Sequence, residues 1–421
     1  MERFKEAESA EGSFESLISS GDGGGHLVAM HIEWTANSSS FVAFREYNCL
    51  VPSRVLTCFS IIIAASAALA GVAAACSDGQ CRLLDECSSD QDCEAGLYCF
   101  SCPPGFPGSR CVRSTVTNQF KLLNNSLPFN KYAFLTTHNA YAIDGYPSHT
   151  RAPRITFTNQ EDSIMDQLNN GVRGLMLDTY DFRGDVWLCH SFKGHCHDYT
   201  AFGPAIDTLK EIEAFLSAHP AEIVTIILED YVRAPNGLTR VFTDAGLMKY
   251  WFPVTNMPEN GQDWPLVNEM VQNNHRLLVF TSIQSKEASE GIAYQWNYMV
   301  ENHYGDCGMK AGSCSGRRES PPLDDRSRSL VLVNYFRSIP MKKLSCEDNS
   351  GNLMNMIFTC YGAAASRWAN FVAVDYYKRS EGGGSFEAVD LLNGKLLCGR
   401  DQLQEPPLSN RNDKTWTFHY Q

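Results

Sequence analysis

Two histidines, an asparagine and four carboxylates stand where short apolar runs end. His138 and Asn139 follow the run at 133–137, Asp178 follows 172–177, His190 follows 186–189, Glu229 and Asp230 follow 223–228, and Asp375 follows 371–374. Two imidazoles, each titrating near neutrality, can divide the work of phosphodiester cleavage. One takes a proton from the attacking hydroxyl and the other gives one to the leaving oxygen. A carboxylate beside the base would hold its tautomer and favour its charged form. Asn139, Asp178 and Glu229 offer only oxygen donors, the set expected for Ca²⁺ or Mg²⁺ and not for zinc. Such an ion would neutralise charge on non-bridging phosphate oxygens. Singly, each residue has a blander reading, the histidines as turn residues and the aspartates as helix N-caps. Five strand ends carrying such groups point instead to one shared face.

The elements that must position these residues read as an α/β chain. Further apolar runs at 276–281 and 330–334 alternate with helical patterns, of which Ala205, Leu209, Ile212 and Leu216 give one face. Ile164 with Leu168, Leu266 with Met270, and Met356 with Cys360 suggest further crossover helices. Strand and helix alternating over residues 115–400 predict a parallel (β/α)8 TIM-type barrel, whose C-terminal strand ends build the site. The segment 298–301 is the candidate for the eighth strand.

A chain of 421 residues, 43% apolar, can bury one large core plus a small appendage. A formal charge of −13 excludes a nucleic-acid partner and long-range attraction to an anionic membrane. Residues 1–54 are Ser/Gly/Glu-rich and are expected to be disordered. Residues 55–75 form an apolar stretch of spanning length that ends in Ala73-Ala74-Ala75, read as a signal peptide or an uncleaved single-pass signal anchor. Its distance from Met1 leaves open a start at Met30 or a reading frame extended too far upstream. Each reading sends the rest of the chain into the secretory pathway, to the cell surface or outside.

The 16 cysteines suit that compartment. Seven of them fall in residues 76–113, a module too short for a hydrophobic core and held by disulfides. Seven more lie in the large domain, so parity predicts one bond between the two parts. Cys189 and Cys196 are expected to close a loop rather than join His195 and His197 on a metal. Asn124-Asn125-Ser126 is a glycosylation sequon, and Gly382–Gly384 reads as a rim loop, not a P-loop. The tail 401–421 shows no hydrophobic anchor signal.

Thr137-His138-Asn139, GVRGLMLD at 171–178, VWLCH at 186–190 and IVTIILED at 223–230 resemble, in order, the motifs of the phosphatidylinositol-specific phospholipase C X domain. FVAVDYY at 371–377 resembles the closing strand of its bacterial branch, and the Cys-rich leader resembles plant secreted or anchored proteins with a lone X domain. The resemblance implies His138 as general base on the inositol 2-hydroxyl, His190 as general acid, and Asp375 orienting the base. The products would be diacylglycerol and a cyclic inositol phosphate, the substrate an inositol phospholipid or GPI-type lipid met at a membrane surface. In the metal-dependent branch Asn139, Asp178 and Glu229 would be calcium ligands. Met176 stands where that branch has a ligating glutamate, and a thioether is a poor ligand for a hard cation. Without a metal, Arg173 or Lys193 would have to supply the cation, although Arg173 also reads as a structural ion pair. Two alternatives stand beside this one. The first is a catalytically weak barrel kept as an extracellular binding or cell-surface protein, and the second a phosphodiesterase of glycerophosphodiesters or sphingolipids.

Overall fold

A computed structural model describes residues 13–18, 28–33, 76–116, 126–191 and 193–398. The chain divides into two units, Met1–Gly71 and Val72–Gln421. In the first, β1 (Ser13–Ile18) and β2 (Val28–Glu33) pair antiparallel, with Ser13 opposite Glu33 and Ile18 opposite Val28. Both lie inside the stretch expected to be disordered; its Gly21–Gly25 run falls in their connection, while the strands carry Phe, Ile and Val. The apolar stretch at 55–75, Asn124 of the sequon and the tail 401–421 lie outside the described residues. Among the described residues no helix is long and apolar enough to cross a membrane.

The second unit opens with the cysteine module, whose β3 (Leu97–Phe100) and β4 (Arg110–Arg113) form a two-stranded antiparallel ribbon. Its interior is the half-cystines themselves, Cys81, Cys93 and Cys111, joined by Cys76–Cys81, Cys87–Cys99 and Cys93–Cys111. The seventh, Cys102, bonds Cys346 of the large domain, the bridge that parity required. Cys189–Cys196 closes the expected loop and Cys314–Cys360 ties a long loop to an outer helix. A polar seam adds to the bridge: the Tyr98 hydroxyl donates to the Lys378 carbonyl at 2.5 Å, and Arg113 pairs with buried Asp390.

The large domain is built on parallel strands in ring order. β5 (Phe134–Thr137) pairs β6 (Gly174–Phe182), and β6 extends past the ring to fold back on β7 (Asp185–Cys189), which pairs β8 (Ala201–Pro204). β9 (Val224–Tyr231), β10 (Leu277–Thr281) and β11 (Ala293–Tyr294) continue one way around from β6. β12 (Met299–Glu301), β13 (Leu330–Tyr335) and β14 (Phe371–Val374) return to β5 on the other side. These make eight parallel staves of an α/β barrel, with no ladder between β11 and β12, where one helical turn, Gln295–Tyr298, spans the open edge.

One strand expectation needs correction. The run 186–189 is not a stave: it is the return arm of a hairpin antiparallel to β6, turned by Arg183 and Gly184, both at positive φ (51° and 78°) as a two-residue hairpin turn requires. The stave it displaces is β11, two residues long and without apolar periodicity. The segment 298–301 does supply a stave, β12.

Staves are buried on both faces, and their alternation separates two cores. Phe134, Ile227, Leu278, Phe280, Met299, Leu332, Phe371 and Ala373 fill the barrel interior. The residues between them, including Leu135, Leu177, Ile226, Val279, Val333 and Val372, pack outward against helices. The helix Ala205–Ala218 buries Leu209, Ile212 and Leu216 there, as its spacing predicts.

Candidate active site

Continuing the inward series of six staves past their apolar residues gives the polar lining. The positions are 134-136-138 on β5, 176-178 on β6, 227-229 on β9, 299-301 on β12, 332-334 on β13 and 373-375 on β14. They end in His138, Asp178, Glu229, Glu301, Asn334 and Asp375. His138, Asn139, Met176, Asp178, His190, Glu229 and Asn334 line one cavity of about 230 Å³, together with Tyr304, Arg317, Phe336 and Arg337.

His138 is fixed on three sides. Its Nδ1 lies 2.9 Å from Asp375 Oδ1, its ring stacks on Phe336 at 3.6 Å between centroids and 6° between planes, and Gln160 Nε2 donates to its carbonyl at 2.9 Å. Asn159 Nδ2 donates to the same Asp375 oxygen at 2.9 Å. A carboxylate only accepts, so Nδ1 carries the proton and Nε2 keeps a lone pair. Asn349 supports Asp375 from behind, donating to the backbone carbonyls of Asp375 and Tyr376 at 2.9 and 3.2 Å.

His190 reaches the cavity because the β6–β7 hairpin returns to the ring, with Thr179 opposite Leu188. Its Nδ1 donates to the Phe157 carbonyl at 2.9 Å, and the His190 carbonyl accepts from Thr156 Oγ1 at 2.6 Å. Burial, and then the charge of His138, lower its pKa against the opposing pull of the Phe157 carbonyl.

The expected cation ligands form a second cluster. The β6–β9 register sets Asp178 beside Glu229 and Met176 beside Ile227. Asn139, at φ 43° in the left-handed region that asparagine tolerates, turns its amide nitrogen to Asp178 Oδ1 at 3.0 Å. Burial and the neighbouring charge of Glu229 push the Asp178 carboxyl well above its usual range, with Tyr141 and Arg317 pulling the other way. Glu229 accepts from the Tyr231 hydroxyl. Met176 packs its side chain into the interior core. Among the described residues, no three His, Cys, Asp or Glu donors converge in this cavity. Two carboxylates, one of them bonded to the amide, with a guanidinium nearby, are a poor fit for a hard divalent cation, which gathers six or more oxygens.

The cations are not the ones expected from the sequence. Arg173 precedes β6, at the end of the barrel away from the cavity, where it pairs with Glu222 at 2.9 Å and donates to the carbonyls of Leu168 and Val172. Lys193 is exposed on the disulfide-closed loop and does not line the cavity. Arg317 does, from the β12–β13 connection. Its Nη1 donates to Glu301 Oε1 at 3.0 Å and its Nε to Glu319 at 3.1 Å, while its guanidinium lies over Tyr304 at 4.9 Å. Glu301, fully buried, also accepts from Gln295, Trp296 and Asn334 at 2.8 to 3.0 Å. Sequence reading missed Arg317, Glu301 and Asn334. Both Glu301 and Asn334 end the runs 298–301 and 330–334, where the inward parity of Met299 and Leu332 would have found them; nothing local marks Arg317.

The PI-PLC X family model matches residues 129–393. A PI-PLC X domain-containing protein of Arabidopsis thaliana is 56% identical over 330 residues, covering 78% of this chain and 77% of its own. An "uncharacterized secreted protein" of Arthroderma benhamiae is 25% identical over 310 residues, covering 68% and 69%. Among solved structures, the phosphatidylinositol-specific phospholipase C of Listeria monocytogenes aligns at 13% identity and a TM-score of 0.42, over 64% of this chain and 94% of that one.

Proposed function

We propose that this chain, which belongs to the PI-PLC X family, is a phosphoric diester hydrolase/lyase of the phospholipase C type. Its substrate would be an inositol phospholipid or a GPI-type lipid, opened by histidine acid/base chemistry. One observation carries the reading: two imidazoles line one cavity, each anchored through Nδ1, His138 on a carboxylate and His190 on a carbonyl. Both present Nε2 for chemistry.

In the proposed sequence, His138 Nε2 takes the proton of the inositol hydroxyl next to the phosphate. That oxygen forms a bond to phosphorus, the bond from phosphorus to the glycerol oxygen breaks, and His190 Nε2 delivers the proton to the departing oxygen. Diacylglycerol and a cyclic inositol phosphate result. Asp375 stabilises the imidazolium that forms on His138, and Arg317 faces the charge that grows on the phosphate. The donor set at Asn139, Asp178 and Glu229 leaves no step assigned to calcium.

Two further observations support where this would happen. Of eleven exposed large hydrophobics among the described residues, seven lie on loops of the cavity face: Tyr146, Ile155, Phe157, Tyr199, Ile283, Tyr304 and Met341. In a chain of net charge −13, contact with a lipid surface would rest on such apolar groups rather than on Coulomb attraction. The disulfides support a secretory or extracellular setting. Met176, a poor ligand for a hard cation, favours a second reading, a binding protein on the same scaffold.

The test is cyclic inositol phosphate release from phosphatidylinositol vesicles, with calcium and with chelator. Activity should survive chelation and vanish in His138→Ala and in His190→Ala with circular dichroism unchanged. Retained activity in either variant would sink the assignment.

A further inference from the structure

The turn that aims Asp375 does not hold itself. Tyr376, the next residue, sits at φ 45°, in the left-handed region that a large side chain disfavours. Such a conformation persists only where its surroundings over-determine it. On one side the Asn159 carbonyl accepts from Tyr376 N at 2.7 Å and the Thr158 carbonyl accepts from the Tyr376 hydroxyl at 2.6 Å. On the other stands buried Asn349, whose Nδ2 donates to the carbonyls of Asp375, Tyr376 and Arg379 at 2.9, 3.2 and 3.3 Å.

Asn349 is itself placed from outside the barrel. Just before it in the chain is Cys346, the barrel end of the bridge to Cys102. Just after it, Ser350 Oγ donates to the Cys346 carbonyl at 2.8 Å and accepts from Glu381 N at 2.8 Å. The cysteine module also grips the chain that follows Asp375. Its Tyr98 hydroxyl donates to the Lys378 carbonyl, its Arg113 N donates to the Gly382 carbonyl at 3.0 Å, and its Phe100 ring lies 5.2 Å from the Arg379 guanidinium. The module therefore closes on two segments, 346–350 and 378–382, and Asn349 joins those segments across the turn that carries Asp375.

We propose that the cysteine-rich module is a clamp for the site. Acting through Asn349, a positioning residue, it fixes the turn that aims Asp375 at His138. This rests on the reading of His138 as the base.

Asn349→Leu keeps the side-chain volume and removes the donor. With phosphatidylinositol vesicles, kcat should fall about a hundredfold, the cost of roughly 1 Å of misplacement, while KM stays within about twofold. The ¹⁵N shifts of the His138 ring, read without substrate, should change from a proton on Nδ1 to a mixture of tautomers. In an Asp375→Ala background the same substitution should cost less than about threefold, because a residue that acts through Asp375 has nothing left to place. Cys102→Ala/Cys346→Ala should move kcat and tautomer the same way, by about tenfold in kcat, since the Tyr98 and Arg113 tethers remain. Equal losses in the two backgrounds, a raised KM with unchanged kcat, or an unmoved tautomer in Asn349→Leu would overturn the positioning role. Unchanged kcat and tautomer in the cysteine pair would overturn the clamp, and that variant decides alone if circular dichroism shows Asn349→Leu unfolded. A wild type without turnover whose tautomer still shifts in both variants would uphold the clamp and defeat the catalytic reading. Neither turnover nor shift would overturn both.

Discussion

Asp375→Asn separates the charge of the group that holds His138 from its shape. Asp375 Oδ1 accepts from His138 Nδ1 and from Asn159 Nδ2, each at 2.9 Å, while Oδ2 is buried without a hydrogen-bond partner. A carboxamide in its place has two orientations. With its oxygen at the Oδ1 position it keeps both contacts and leaves an unpaired NH₂ where Oδ2 was, which costs about 1–3 kcal/mol of stability. Turned over, it sets NH₂ against two donors, loses both bonds and forces the imidazole into the other tautomer. The first orientation therefore wins. The catalytic loss is then only the difference between a charge-assisted and a neutral hydrogen bond, about 1–1.5 kcal/mol or roughly tenfold in kcat/KM. Asn159→Leu in the same background removes the second donor and with it the lock. The carboxamide can turn, and the loss should move toward the roughly 10⁴-fold that a wrong tautomer costs the Ser-His-Asp triad. Cyclic inositol phosphate release measures the rates, and ¹⁵N shifts of the His138 ring report the tautomer independently of substrate. A single variant as damaged as the double, or an Nδ1 without its proton in Asp375→Asn, would refute the reasoning.

Three other expectations follow from particular residues. Burial lowers the pKa of His190, and an acid must start protonated, so kcat/KM should fall on the alkaline side through a pH below the ordinary histidine value of about 6.5. A limb near pH 8 would contradict this. The same shift makes the unfolded state bind more protons, so this group's contribution is present above the unfolded pKa and lost as pH falls through the folded one; His190→Gln should flatten stability across that window in chemical denaturation. Replacing Cys102 and Cys346 by Ala opens a bridge with a sequence separation of 244. Loop entropy bounds the loss at about 5 kcal/mol, the other cross-links reduce it, and Tm should drop by roughly 5–10 °C in calorimetry; an unchanged Tm would mean that the Tyr98 and Arg113 contacts suffice. Met176→Glu adds a third carboxylate beside Asp178 and Glu229, so it should lower Tm in chelator and recover with calcium, by about 2.7 kcal/mol at a hundredfold excess over Kd. Equal calcium stabilisation of the wild type would overturn the fit argument.

The site was largely legible because inward parity is a local property. Whatever lies two residues beyond an interior apolar side chain faces the same way, so His138, Asp178, Glu229 and Asp375 could be placed on one face without knowing any strand's neighbour. His190 was named for a partly mistaken reason. A hairpin arm such as 186–189 is as short and apolar as a stave, and only pairing, which is non-local, tells them apart. β11 was invisible because Ala293-Tyr294 is held by β10 and not by a pattern of its own. Cysteine counting predicted a bridge between module and barrel but not its address, since Cys102 and Cys346 are brought together by the whole fold. Arg317 lay beyond reach for the same reason: it sits sixteen residues past its partner Glu301 on a connection with no periodicity.

That arginine and the gap in the barrel wall are one feature. Where β11 and β12 fail to pair, the turn at 295–298 fills the edge and sends two donors, Gln295 Nε2 and Trp296 Nε1, inward to Glu301 Oε2. A closed ladder there would need both segments extended, and the two donors would have no route to the interior. Once Oε2 is satisfied, Oε1 is left for Asn334 and Arg317, so the carboxylate can be fully buried and still be paired. The guanidinium thus held opposes the charges of Asp178 and Glu229, the same two that a divalent cation would otherwise have to offset. With Met176 in place of a third carboxylate, the cavity has less negative charge to balance and a fixed positive group to balance it. The barrel's open edge is therefore part of what makes a site without calcium electrostatically consistent.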